Sequence, residues 1–215
     1  MDIPNEDGKR INFILGPAKG VEALTRQMIL LSQGMADCSA SRGGVLLHGA
    51  LASWKSKGVL LCGASGSGKT TASNRLPSPW RSLSDDATLL VRDRQGRYWA
   101  HPWPTWSRYL SKKENPIQPL AGPVRLQAIC FLKKSVKDRI SNASPKGSIV
   151  RLMAASEQAV NLMAEIMPVA QRNRQRIDRL DLCCDLARRI PIFHLSVSLT
   201  GKFWELVERT LAETS

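Results

Sequence analysis

The residues of this sequence best suited to chemistry run in one unbroken stretch, Gly63-Ala64-Ser65-Gly66-Ser67-Gly68-Lys69-Thr70, followed by Thr71. The pattern is G-x-x-x-x-G-K-[ST], and the apolar run Gly58-Val59-Leu60-Leu61-Cys62 leads straight into it. Glycines at 63, 66 and 68 let the backbone take positive φ and bring successive N–H groups close to phosphate oxygens, where a side chain would block the approach. Lys69 can then reach the β- and γ-phosphates of a nucleotide. Thr70 offers a hydroxyl to the Mg²⁺ that travels with it, and the start of the following helix adds the positive end of a dipole. The expected ligands are ATP and Mg²⁺, with residues 63–71 as the cradle; a plain glycine-rich turn between strand and helix is the alternative.

A phosphate loop names a ligand and not a reaction, so the nearby titratable groups decide the chemistry. Asp86 lies 17 residues beyond Lys69, room for one crossover, and Asp85 stands next to it at the start of a strand. Paired carboxylates there can divide the labour between Mg²⁺ and proton abstraction from an incoming hydroxyl. The plainer reading is a solvated pair of turn residues. His48 sits in an apolar strand one element before the loop, where a histidine is commonly structural. Beside either aspartate, a neutral imidazole would orient the carboxylate and tune its pKa. His101, in a loop of Pro and Trp, and His194, in a late strand, have weaker claims.

These groups need elements to hold them. Val45–Leu51 and Gly58–Cys62 read as two strands of a hairpin leading into the loop, and the helix after it has only residues 69–76 before Pro77 and Pro79 stop it. Residues 81–91 end a connection and open a strand at the aspartates. Arg92–Gly96 and Arg97–His101 form the turn and return of a further hairpin, so antiparallel pairing is mixed into the sheet. Residues 101–116 form an aromatic loop, Val124–Leu132 a strand, and Lys133–Gly147 a solvated basic loop. Helical periodicity predicts amphipathic helices over 21–31 (ending near Gly34), 152–167, 172–189 and 202–212, with strands over 11–15 and 191–199 and a turn-rich linker over 39–44. The fold class is α/β, a mixed sheet around a phosphate loop with flanking helices, and the 215 residues form one domain: an extension over 1–44, a core over 45–132, and a completing part over 133–215.

The formal charge of +13, from 31 basic and 18 acidic residues, is spread over both halves of the chain and draws the protein to polyanions or an acidic partner. Five cysteines, at 38, 62, 130, 183 and 184, lack metal-type spacing, and Cys62 and Cys130 fall in apolar strands as reduced core residues. No run approaches a membrane span and no basic region precedes a long apolar one, so the expectation is a cytoplasmic protein with no membrane partner.

His48-Gly49, then the loop 63–70, then Leu83-Ser84-Asp85-Asp86 resembles the nucleotide-binding core of the HPr kinase/phosphorylase family. Residues 191–195 with Phe203-Trp204-Glu205 look like the compact kinase-like ScmC family of SynChlorMet cassettes. The resemblance implies a mixed-sheet P-loop core of the phosphoenolpyruvate carboxykinase type and an ATP- or pyrophosphate-linked phosphorylation of a serine hydroxyl. It implies that residues 63–70 bind the nucleotide phosphates, Lys69 neutralises developing charge, Thr70 holds Mg²⁺, Asp85 shares metal or hydrogen-bonding duty, Asp86 accepts the proton, and His48 contacts the acid pair. The family's metal-binding Glu segment has no match, Glu114 being the nearest acidic residue, so phosphorylase activity is not implied. Only 44 residues precede the first matching strand, which leaves no room for the family's N-terminal domain.

The leading expectation is a serine kinase-like protein acting on a peptide or protein, an acidic one suiting the basic surface, with Trp103, Trp106 and Tyr109 as an apolar rim. A nucleotide-dependent switch with slow hydrolysis is one alternative. A nucleic-acid-stimulated ATPase is another, using Lys133, Lys134, Lys137 and Arg139 with Arg172, Arg174, Arg176 and Arg179. Interleaved Asp178, Asp181 and Asp185 make that helix a solvated face, so nucleic acid is not the expected partner. Both a monomer and a homo-oligomer fit the sequence.

Overall fold

The computed structural model describes residues 2–4, 10–12, 14, 16–40, 43–103, 122–164 and 169–213. Its centre is a mixed sheet of eight strands. β3 (Gly44–Trp54) and β4 (Lys57–Cys62) form an antiparallel hairpin running in register from Gly49 opposite Cys62 to Trp54 opposite Lys57. Only Lys55 and Ser56 connect them, with φ of 46° and 65°, the double left-handed turn whose twist matches that of the paired strands.

After β4 come the glycine loop and a short helix, α2 (Lys69–Asn74), then β5 (Arg81–Ser84) and β6 (Ala87–Arg92). Both strands pair antiparallel with β3, β5 along Leu51–Ser53 and β6 along Gly44–His48. β7 (Tyr98–Pro102) returns antiparallel to β6 and reaches the first residues of β8 (Val124–Lys134). The long β8 takes β4 in parallel along its other edge. The strands β4, β3, β6, β7 and β8 therefore close on one another in a ring of hydrogen bonds. Past that ring, β10 (Ile192–Val197) lies parallel to the end of β8, and β9 (Arg139–Asn142) pairs antiparallel with β10 as the sheet edge. A separate small pair, β1 (Asp2–Pro4) and β2 (Arg10–Asn12), precedes α1 (Val21–Ala40).

Strand alternation sorts the side chains onto two buried faces. Leu47, Leu51, Leu60, Cys62, Ile129 and Phe131 point to one, covered by α3 (Pro145–Ala164) and α4 (Val169–Arg189) through Leu152, Cys183 and Leu186. Ala50, Ala52, Leu61, Ala128, Cys130 and Leu132 point to the other, covered by α2 through Ala72 and by α5 (Phe203–Glu213). On α5 the buried residues are Phe203, Val207 and Leu211, spaced by four, so one stripe meets the sheet. Each such burial removes apolar area worth about 1.5–3 kcal/mol. α1 packs Ala36 against Leu46, Leu89 and Trp103 beyond the end of that second face.

Several elements differ from the sequence reading. α1 continues through Gly34 to Ala40, because the contact of Ala36 with the sheet outweighs one glycine's cost. Residues 139–142 of the expected basic loop are strand β9, which as an edge buries little and so shows no apolar alternation. α3 starts at Pro145, with Ser144 accepting from the Gly147 N–H at 3.3 Å as its cap, and α4 begins at Val169. Arg81–Ser84, read as connection, is a strand. Trp103 does not form an exposed rim; it is buried under α1, while Trp106, Tyr109 and Glu114 lie outside the described residues. Among the described residues no helix is long and apolar enough to cross a membrane, and Cys62, Cys130 and Cys183 are buried thiols. Burial pushes the Cys62 and Cys130 thiols up to about 12, as reduced core residues.

Candidate functional site

The glycine loop leaves the sheet where β4 ends and is shaped by its own backbone. Gly66 and Gly68 take φ of 74° and 95°, the region that side-chain-bearing residues avoid. The Ser67 N–H donates to the Ala64 carbonyl at 3.1 Å, tightening the turn. Gly63 is required for a different reason: a Cβ there would stand 2.6 Å from Ser67 Oγ and 3.3 Å from the Leu132 carbonyl of β8. Gly68 caps α2 with no side-chain hydrogen bond, and Ala64, Ser65, Gly66, Thr70 and Thr71 are exposed. A loop with bare backbone toward solvent is what an anion needs.

Lys69 is only 7% exposed. Its ammonium donates to the carbonyls of Gly63 at 2.8 Å and Ala64 at 3.3 Å, so the stem is folded along the loop and the charge is spent on loop oxygens. Burial pushes its pKa below the ordinary lysine value, and the neighbouring Cys62 and Asp86 push it back up. A phosphate replacing one carbonyl would be a better acceptor for a poorly solvated ammonium.

Asp85 and Asp86 occupy the break between β5 and β6, opposite the middle of β3. The bulge falls where β5's pairing with β3 shifts between Leu51 and Ala52, and buried hydroxyls fill the interrupted ladder. The Leu51 N–H donates to Ser84 Oγ at 3.3 Å, Ser84 Oγ and Thr88 Oγ1 are 3.1 Å apart, and Thr88 Oγ1 donates to the Gly49 carbonyl at 3.1 Å. The Gly49 N–H donates to the Asp86 carbonyl at 2.9 Å. Gly49 in turn pairs with Cys62, the last residue before the loop. Two strand spacings of about 4.8 Å thus separate the Asp86 backbone from the loop's origin, or about 10 Å.

His48 belongs to the same face as Ala50 and Ala52, the face on which α2 lies. Its Nδ1 is 3.1 Å from Asp86 Oδ1, with the imidazole 16% and the carboxylate 51% exposed. That hydrogen bond is the main reason the Asp86 carboxyl titrates below the usual aspartate range; burial opposes it, and His48 and Lys69 add favourable charge. Asp86 and Lys69 thus lie in each other's fields. Asp85 is half-buried at the same turn. Of the other histidines, His194 faces the opposite side of the sheet, its ring 6.4 Å from that of Phe131, and His101 lies opposite Leu89 with its pKa lowered by burial. Neither joins the site.

Among the described residues no cluster of three or more His, Cys, Asp or Glu could hold a metal ion alone. Mg²⁺ arriving with a nucleotide needs only one or two protein oxygens, the rest coming from phosphates and water. The hard-oxygen donors Thr70, exposed on the first turn of α2, and Asp85 fit that requirement.

Several supporting residues were not anticipated. Arg75, which ends α2, donates to the carbonyls of Ser198, at 2.6 Å, and Gly201, and lies over the rings of Phe203 and Trp204. Asp138 accepts from the Ser198 N–H at 2.5 Å. These contacts fix the turns after β8 and β10 beside α2. Ser73 Oγ and Ser82 Oγ, 2.6 Å apart, tie α2 to β5. Ser84, in the quoted Leu83–Asp86 motif, and Phe203 with Trp204, in the quoted 203–205 stretch, carried the only hints. The basic helix α4 uses Asp185 internally, where Arg92, Arg189 and the Tyr98 hydroxyl converge on it, and Arg176 meets Glu157 at 3.0 Å.

Fold and site together define a mixed α/β protein in which a glycine-rich loop follows β4 and an imidazole-supported carboxylate stands two strand spacings away in the same sheet. The model of the SynChlorMet cassette protein ScmC family matches residues 19–212, and the chain belongs to that family. No curated protein matches it.

Proposed function

We propose that the protein is an ATP-dependent kinase-like enzyme of the P-loop type, transferring the γ-phosphoryl group to a hydroxyl of a peptide or protein. The observation that carries this reading is the His48–Asp86 contact, with His48 on the strand next to β4, where a G-x-x-x-x-G-K-T loop begins, and Asp86 one strand spacing beyond. The backbone amides of residues 63–70 and Lys69 hold the phosphates and offset charge as it develops on them. Mg²⁺, held from Thr70 and Asp85, would supply charge neutralisation between the β- and γ-phosphates. Asp86 accepts the proton of the acceptor hydroxyl as its oxygen bonds to the γ-phosphorus and the bond to the bridging oxygen of ADP breaks. His48 holds that carboxylate in one orientation and keeps it ionised. The likeness to HPr kinase at His48-Gly49 and Asp85-Asp86 supports these assignments, and the basic surface suits an acidic acceptor. An ATP requirement and the buried cysteine thiols suit a reaction in the cytoplasm.

The test is incubation with γ-labelled ATP and Mg²⁺ beside the products of neighbouring genes. Label on one of those products, lost in Lys69→Met, supports the reading; ATP binding without transfer to any of them counts for the switch alternative instead.

A further inference from the structure

The phosphate loop has a second cation beside it. β8 runs parallel to β4, so its end emerges on the same side of the sheet as the loop, and Lys134 is its last residue. Alternation from Ala128, Cys130 and Leu132, which all face α2, puts Lys134 on the α2 side as well. The contact confirms it: a Cβ on Gly68 would lie 3.7 Å from Lys134 Cε, so the lysine stem crosses the loop at the residue that caps α2. Its ammonium lies about 1.5 Å further on. The position is held from beneath, since Lys134 is in register with Val197 of β10 and the Ser135 N–H donates to the Val197 carbonyl at 3.0 Å. Lys134 is exposed, and among the described residues no carboxylate pairs with it. Lys69 contrasts with it, being buried and bonded to its own loop.

We propose that Lys134 is a second phosphate-binding cation, closing over the chain of linked phosphates from β8 while Lys69 serves it from within the loop. This rests on the nucleotide-phosphate reading of residues 63–70 and adds to it a specificity: ligands with two or more linked phosphates are favoured over monophosphates, because only a chain long enough to lie along the loop meets both ammonium groups. A charge-assisted hydrogen bond in a partly exposed site is worth about a tenfold change in affinity. An exposed lysine's contribution also fades as salt rises.

The experiment is titration of the full-length chain with ATP, ADP, AMP and inorganic tripolyphosphate in the presence of Mg²⁺. The variants are Lys134→Gln, Lys134→Arg and, as a charge-matched control, Arg125→Gln at the opposite, exposed end of β8. Expected is an approximately tenfold weaker binding of ATP and tripolyphosphate by Lys134→Gln, with AMP little changed, most of the loss restored by Lys134→Arg, and the deficit shrinking at high salt. Arg125→Gln should stay within about twofold of the parent, as a mere change of overall field would. If Lys134→Gln binds ATP and tripolyphosphate like the parent, or if Arg125→Gln loses as much, the second cation is refuted while the nucleotide site stands. If the unaltered chain binds none of the four, the nucleotide reading itself falls and the proposal with it.

Discussion

Gly49 is the residue through which the sheet connects the acid pair to the glycine loop, and replacing it with alanine tests that connection. The added methyl would sit 3.0 Å from Cys62 Sγ, 3.0 Å from Leu60 Cδ1 and 3.2 Å from the Leu61 carbonyl. The side-chain atoms can yield by a few tenths of an ångström, but the carbonyl is held in the β3–β4 ladder. Overpacking of this kind costs about 1–3 kcal/mol, partly offset by the roughly 0.4–1 kcal/mol that alanine gains through the unfolded chain. A net loss of about 1–2 kcal/mol corresponds to a melting temperature lower by about 2–8 °C in a chain of this size. Because relief comes most easily from moving Cys62, the loop origin shifts, and ATP affinity should fall together with stability. Thermal unfolding and ATP titration on Gly49→Ala, Cys62→Ala and the double variant measure both, and the double variant should be less damaged than the two losses added, since removing the sulfur makes room. A Gly49→Ala protein that melts within about 1 °C of the parent and binds ATP equally well would refute the reasoning.

Three further outcomes follow from named contacts. Lys69→Met, which keeps a buried apolar stem, should melt no lower than the parent yet bind ATP about 10–100-fold more weakly by titration, the worth of a charge-assisted hydrogen bond; equal affinity would remove Lys69 from the site. In His48→Phe the Asp86 carboxyl should titrate upward toward the ordinary value of about 3.9, followed by ¹³C NMR of that carboxyl. Its depressed pKa means that the His48 contact stabilises the fold above the ordinary aspartate pKa and is lost as pH falls through the lowered one, so the stability gap between parent and variant should close only in acid. An unchanged Asp86 titration would deny the contact. Gly201→Ala would drive a methyl into the Asp138 carboxylate and to 2.5 Å from Ser198 Oγ, breaking the turn that Arg75 and Asp138 hold, at a cost of about 1–3 kcal/mol in chemical denaturation; a neutral result would show that turn to be loose.

The sequence reveals most where chemistry restricts residue type. A glycine loop after an apolar strand has few other uses, so β4, the loop and α2 are readable from residues 58–74, and His48 could be matched to the acid pair, while which aspartate it meets, Asp86, is shown only by the structure. The Gly49–Cys62 pairing that brings them beside the loop could not, because register is a property of two strands and either one alone is compatible with several. β5 and β9 escape for a related reason: Arg81-Ser82-Leu83-Ser84 and Arg139-Ile140-Ser141-Asn142 are mostly polar and become strands only through the ladders they join. The closure of β7 onto β8 rests on two residue pairs, Trp99 with Arg125 and Ala100 with Val124, which no local pattern signals. Ser84 and Thr88 look like ordinary polar strand residues until their hydroxyls are seen filling the bulge at the acid pair. Lys134 was readable only as one more charge in a basic run, and Trp103 as an aromatic in a loop, because burial and facing are decided by the whole sheet.

On the proposed mechanism Asp86 does chemistry at the loop and does not merely hold it. Phosphoryl transfer to the acceptor should therefore be compared in the parent and in Asp86→Asn at matched ATP occupancy. Removing a general base typically costs about 10²–10⁴-fold in rate, so the account predicts near-parental ATP binding with transfer reduced at least about a hundredfold. Transfer by Asp86→Asn at the parental rate would contradict it.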